Sequence, residues 1–130
     1  MTPEQDMQRV CQSVTKNSGH WPYTHDAEVF IGFRPGQEAF TRASGARIRV
    51  QVSYDIVICA RRSAAATDME QLRYALYDAL EAAGWKLDGP PGPEAYSREQ
   101  GLFMWPVTAV KSFAIGRDGL PYAMEVTEDE

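Results

Sequence analysis

Two periodicities divide the chain. Near its start, apolar residues recur at helical spacing: Met7, Val10, Cys11 and Val14 fall at i, i+3, i+4 and i+7. Thr2 as a cap, Pro3 at the first helical position and Gln5 three residues after the threonine supply start signals, and Asn17, Ser18 and Gly19 break the run. This predicts a helix within residues 1–17 with one narrow apolar stripe. The turn-rich "HWPYTHD" then leads into an alternating segment, "AEVFIGF", whose Val29, Ile31 and Phe33 share one face before Arg34, Pro35 and Gly36 interrupt it. The polar, glycine-bearing "RPGQEAFTRASGA" predicts a flexible hairpin arm.

The longest alternation is "ARIRVQVSYDIVICARR". Ile48, Val50, Val52, Tyr54, Ile56 and Ile58 point one way and Arg47, Arg49, Gln51, Ser53, Asp55, Val57 and Cys59 the other. At about 3.3 Å per residue such a strand spans about 40 Å. Its first half is expected to be half solvated, as one leg of the arm, and its second half to lie at the sheet's centre, buried on both faces.

Helical spacing returns with Met69, Leu72, Leu76, Ala79, Leu80 and Ala83, between a Thr67/Glu70 capping box and Gly84, where a left-handed cap lets Trp85 fold back. Tyr74 and Tyr77 lie off that stripe and suit either a wide-faced core or interface anchors. Residues 85–101 form a Pro/Gly-rich loop by this reading. Alternation then resumes over 102–116, with Phe103, Trp105, Val107, Ala109, Phe113 and Ile115 on one face and Lys111 interrupting it. Pro106 cannot donate to a ladder, which places it at an edge or a bulge. Residues 117–130 make an acidic tail.

The sequence therefore predicts a single α+β domain over 1–130: an antiparallel or mixed β-sheet (strands with the arm at 27–60, a last strand at 102–116), two main helices (1–17 and 67–84) packed on one face, and a protruding β-hairpin arm. A chain of 130 residues, 44% hydrophobic and 24% charged, suits one globular core. Its 13 basic and 18 acidic residues give a net charge of -5, which argues against a sequence-independent grip on nucleic-acid phosphates. No apolar run reaches the roughly 18 residues of a membrane span or the pattern of a leader, so a soluble cytoplasmic protein is expected. Cys11 and Cys59, on a helix and a strand, read as small buried hydrophobes of a reducing compartment.

Candidate chemistry is sparse. His20 and His25, with Asp26 beside the second, lack a third partner at metal-ligand spacing and read as loop histidines; no metal or cofactor is expected. The serines form no nucleophile elbow and the glycines no phosphate-binding loop. The basic residues stand out. Arg34, Arg42, Arg47 and Arg49 fall on the arm and the start of the long strand, and Arg61 and Arg62 at its far end. They serve either as charges that protect an exposed edge or as an interface to neighbours.

The amphipathic helix, "AEVFIGF", an arm, "RIRVQVSYDIVICA", "TDMEQLRYALYDALEAAG" and the late "YSREQGLFMWPVTAVKSFAI" together resemble the tail terminator proteins of long-tailed bacteriophages, typified by the phage lambda minor tail protein U. Neck, tail-completion and head-to-tail joining proteins share that layout. The resemblance covers nearly the whole chain through pattern, without a catalytic signature. It implies a non-enzymatic virion protein, assembled in the host cytoplasm, that closes into a hexameric ring on the head-proximal end of the tail tube. Its partners would be other copies of itself, the tail tube protein and the head-tail connector, with DNA only passing through the lumen. Under that reading Arg34, Arg42, Arg47, Arg49, Arg61 and Arg62 contact subunits or tube, and Tyr96, Arg98 and Glu99 make a second contact from a loop that orders on assembly. The rival from another class is a small cytoplasmic ligand-binding or enzyme domain with Trp21, His25 and Tyr96 around a pocket.

Overall fold

The computed structural model describes residues 1–22, 27–42, 48–115 and 121–123. Two helices, α1 (Pro3–Val14) and α2 (Ala66–Ala82), accompany seven strands: β1 (Ser18–His20), β2 (Val29–Arg42), β3 (Ile48–Arg61), β4 (Lys86–Leu87), β5 (Ala95–Ser97), β6 (Leu102–Ile115) and β7 (Pro121–Ala123). They form one mixed sheet in the order β1-β2-β3-β6-β4, with β5 and β7 also paired to β6. The β1–β2 pair is parallel and the others antiparallel. The α+β class and the mixed sheet with two helices on one face agree with the sequence.

Alternation builds the core directly. Val50, Val52, Tyr54, Ile56 and Ile58 of β3 meet Ile31 and Phe33 of β2, Val107, Ala109 and Phe113 of β6, Met7, Val10 and Cys11 of α1, and Met69, Leu76 and Leu80 of α2. The reciprocal capping box at Thr2 and Gln5 starts α1: the Gln5 amide donates to Thr2 Oγ1 at 3.3 Å and the Thr2 amide to Gln5 Oε1 at 3.0 Å. At the end of α2, Gly84 adopts φ +88°. The Trp85 amide donates to Leu80 O and the Gly84 amide to Glu81 O, so the expected cap is a Schellman motif that turns Trp85 into the core. The Thr67/Glu70 box does not form. The helix starts earlier, at Ala66, with Ala65 as a cap that makes no side-chain bond, because the alanines before Thr67 favour helix right after the turn that follows β3.

Lys111, which interrupts the apolar face of β6, is accommodated by a buried network. Its Nζ donates to Asp6 Oδ2 of α1 at 2.5 Å and to Ala83 O, just past α2, at 2.6 Å. One cation thus joins both helices to the sheet and satisfies a carbonyl at the negative end of α2. Arg9 adds a longer bond to Asp6 at 3.4 Å.

Three sequence expectations change here. The "RPGQ" break is a bulge inside a continuous strand: Pro35 pairs with Tyr54 and Glu38 with Val52, leaving one extra residue in β2. Ser53 Oγ fills it, accepting from the Gln37 amide at 2.7 Å, and a Cβ on Gly36 would lie 2.6 Å from that oxygen. The protruding arm is not seen among the described residues. Strand β3 has β2 on one edge and β6 on the other from Arg49 to Ala60, so its first half is as central in the sheet as its second; the tip, 43–47, lies outside the described residues. Lastly, Ser18–His20 is not merely a helix breaker but a short edge strand alongside Ile31–Phe33.

Candidate assembly surfaces

The helices cover one face of the sheet and leave the other open. On the open face, β2 presents Phe30, Gly32 and Arg34, β3 presents Arg49, Gln51, Ser53, Asp55, Val57 and Cys59, and β6 presents Leu102, Met104, Pro106 and Thr108. Phe30, Cys59 and Leu102 are buried in a second, smaller cluster roofed by Trp21, Val57 and Met104. Trp21 reaches the sheet only because position 32 is glycine: a Cβ there would lie 2.4 Å from Trp21 Cε3. Beside this roof is a hollow of about 270 Å³ lined by Trp21, Arg34, Asp55, Val57, Met104 and Thr108. Arg34 stands directly across from Asp55 in the ladder, and Thr108 Oγ1 lies 3.4 Å from Asp55 Oδ1. The face is apolar toward the Cys59 end of β3 and becomes polar toward the other end, where Arg34, Asp55 and then Arg49 follow along the strands.

The predicted contact residues separate into groups. Arg34 and Arg49 share the open face, exposed and half-buried respectively. Arg42 ends β2, across from Ile48. Arg47 lies outside the described residues. At the opposite end of the strands, Arg61 is tied down, its Nε donating to Ala27 O at 3.2 Å and its amide to Glu28 O at 2.7 Å, whereas Arg62 is exposed in the turn that follows. Arg98 and Glu99 arrive at this same end, because Leu102 pairs with both Arg61 and Ser97. Tyr96 packs its ring on Phe103 at 4.8 Å between centroids, on the helix-bearing side. Trp21 is on the other side, so these two do not converge on the pocket expected of them, and His25 lies outside the described residues.

The Pro/Gly-rich segment is not a free loop. It runs along the outer edge of β6 as β4, then through bonds from the Asp88 amide to Thr108 O and the Gly92 amide to Pro106 O, both 2.8 Å, and then as β5. Pro106 fits because it occupies the gap between β4 and β5, the edge position its missing N–H demands. Gly92, at φ +92°, lets the backbone lie against Trp105; a Cβ would come within 2.8 Å of the ring. The Arg73 guanidinium lies over the Trp105 ring at 4.2 Å, and Trp105 Nε1 donates to Tyr77 Oη at 2.9 Å. Tyr77 is thus core-facing, while Tyr74 is exposed and edge-on to it.

Three titratable groups are shifted by burial. Burial pushes both thiols up to about 12, with the Glu4 charge adding to the effect at Cys11. Burial, with a hydrogen bond to Glu4, raises Tyr54, whose Oη donates to Glu4 Oε1 at 2.7 Å. His20 Nε2 is 3.8 Å from the same carboxylate oxygen. Among the described residues no three His, Cys, Asp or Glu side chains group as a metal site would require, and no helix is long and apolar enough to cross a membrane. Neither protein-family profiles nor curated proteins give a match to the sequence.

Proposed function

We propose that the chain is a structural assembly subunit, a tail terminator that closes into a six-fold ring on the head-proximal end of a phage tail tube. The ring stops addition of tube subunits and offers a surface to the neck. No bond is broken, no cofactor takes part, and DNA passes only as cargo. The observation that carries this reading is the open sheet face, whose apolar end and adjoining Arg34, Asp55 and Arg49 suit burial against another protein. A closed ring joins two unlike patches on each subunit. The second patch is the end of the sheet where Arg62, Arg98 and Glu99 gather. The order of helices and strands that resembles the terminators supports the assignment; a neck or tail-completion subunit would use the same two surfaces.

A ligand-binding or enzyme domain is the second reading, and the hollow beside Trp21 favours it, with Arg34, Asp55 and Thr108 as its polar groups. Light scattering after size-exclusion chromatography, with and without tail tubes, separates the two. The terminator comigrates with tubes and caps their ends in negative stain, and Arg34→Glu with Arg49→Glu weakens that association. A pocketed domain ignores tubes at every salt concentration, and that outcome overturns the assignment.

A further inference from the structure

The outer edge of β2 changes character at its bulge. Before it, the Ile31 amide donates outward to Asn17 O at 3.0 Å and Phe33 O accepts from the Trp21 amide at 2.7 Å, so the peptide groups of 31 and 33 point away from β3. The extra residue shifts that alternation by one position. Beyond the bulge Ala39 and Thr41 face Gln51 and Arg49 in the ladder, and the outward peptide groups belong to Glu38, Phe40 and Arg42. Strand β1 stops at the register of Phe33, and among the described residues no strand pairs with the edge from Glu38 to Arg42. The far edge of the sheet is handled differently, since β5, the 88–92 segment, β4 and β7 cover β6. An uncovered edge is a template for another strand, and this one holds Phe40 with 63% of its surface exposed.

We propose that this edge pairs with the same edge of a second copy of the chain, antiparallel, with the two-fold axis at Phe40. The short sequence Glu38-Ala39-Phe40-Thr41-Arg42 is complementary to itself in that arrangement. Centring the register on Phe40 sets each Glu38 opposite the second copy's Arg42 and the two phenylalanines opposite each other. All three positions carry outward peptide groups, so each pair exchanges two N–H···O bonds. Sliding the register by two residues sets Phe40 against a charge and leaves no ion pair, and in-register parallel pairing opposes like charges. Pro35, which has no N–H to offer, stops the pairing from running back toward β1. The contact is isologous and closes on itself, consuming both edges, whereas the ring requires two unlike patches. The inference therefore stands apart from the tail-capping assignment, and dimerisation of the free chain tests it without tubes.

A five-residue strand pair is smaller than the roughly 1,200 Å² of a stable complex, so association depends on concentration. Sedimentation velocity on the full chain, from roughly 10 µM to 1 mM, the range of weak complexes, is expected to show the 14.5 kDa monomer passing to a dimer. Glu38→Arg alone or Arg42→Glu alone turns two attractive pairs into two repulsive ones and weakens association about tenfold or more. The double exchange Glu38→Arg/Arg42→Glu restores it to within about threefold. Phe40→Pro removes an outward N–H without touching the β2–β3 ladder and abolishes the dimer, with circular dichroism checking that each variant is folded. A chain that stays monomeric over the whole range overturns the proposal, as does association that ignores the single reversals or a double exchange that fails to rescue.

Discussion

Replacing Lys111 by methionine tests how the sheet holds its helices. The substitution keeps the aliphatic stem and deletes the Nζ that bonds Asp6 at 2.5 Å and Ala83 O at 2.6 Å. Asp6 has 1% of its side chain exposed and is left with Arg9, whose own side chain is 65% exposed and 3.4 Å away. Removing one member of a buried pair costs about 3–5 kcal/mol. The remaining Arg9 contact argues for the lower end, about 3 kcal/mol against a total stability of about 5–15 kcal/mol. With a urea m-value of about 2 kcal/mol/M, the unfolding midpoint drops by about 1.5 M. Removing both charges in Asp6→Leu/Lys111→Met leaves no buried ion. The double variant is expected to recover most of the loss, with a coupling energy of at least about 2 kcal/mol. Urea titrations of the four proteins, followed by tryptophan fluorescence and circular dichroism, measure both quantities. A cost below about 1 kcal/mol for Lys111→Met, or strict additivity in the double variant, refutes the reasoning.

Other outcomes follow from single placements. Gly32→Ala drives a methyl group into the Trp21 ring; stability falls by about 1–3 kcal/mol, tryptophan emission shifts to the red as the roof lifts, and adding Trp21→Ala relieves the clash. Burial holds both thiols above their ordinary value near 9, at about 12, so the folded state keeps protons that the unfolded chain gives up. Stability should be unaffected by these groups below pH 9 and fall as pH rises from about 9 to about 12, a loss that the double variant Cys11→Ala/Cys59→Ala reduces in pH-dependent urea melts. Gly84→Ala forces an L-residue into φ +88°, at a cost of about 1–2 kcal/mol read from the same melts.

Much of this architecture is visible in residue periodicity because the two helices bury the middle of one face of the sheet. A strand such as β3, with Val50, Val52, Tyr54, Ile56 and Ile58 against two helices, must alternate. The Thr2 box and the Gly84 cap are legible because their chemistry is local. What alternation cannot convey is lateral pairing. The "RPGQ" segment looks like a strand end, but Ser53, 16 residues away from Gln37, turns it into a bulge. "LDGPPGPEAYSREQG" has little periodicity because it lies along a strand edge through backbone bonds, which leave no mark on side-chain pattern. Lys111 signals a partner by interrupting an apolar face, yet nothing local connects it to Asp6, 105 positions away.

The candidate surfaces were legible in part. Arginines at both ends of β3 can be read from the chain, but their assignment to faces requires the register. The open face is marked in the sequence only by the polar half of the long alternation, and its roof depends on Gly32 making room for a tryptophan 11 positions earlier. That roof, with Trp21, Val57 and Met104, carries no catalytic residue type that would mark it in the sequence.

The proposed ring buries the open sheet face between neighbours at the end of a tube. Electron cryomicroscopy of tail tubes grown in the presence of the chain tests it most directly. A six-fold ring at one end of each tube is expected, with Trp21, Arg34 and Asp55 covered by the adjoining protein. Bare tube ends, or a ring in which that face is left to solvent, would contradict it.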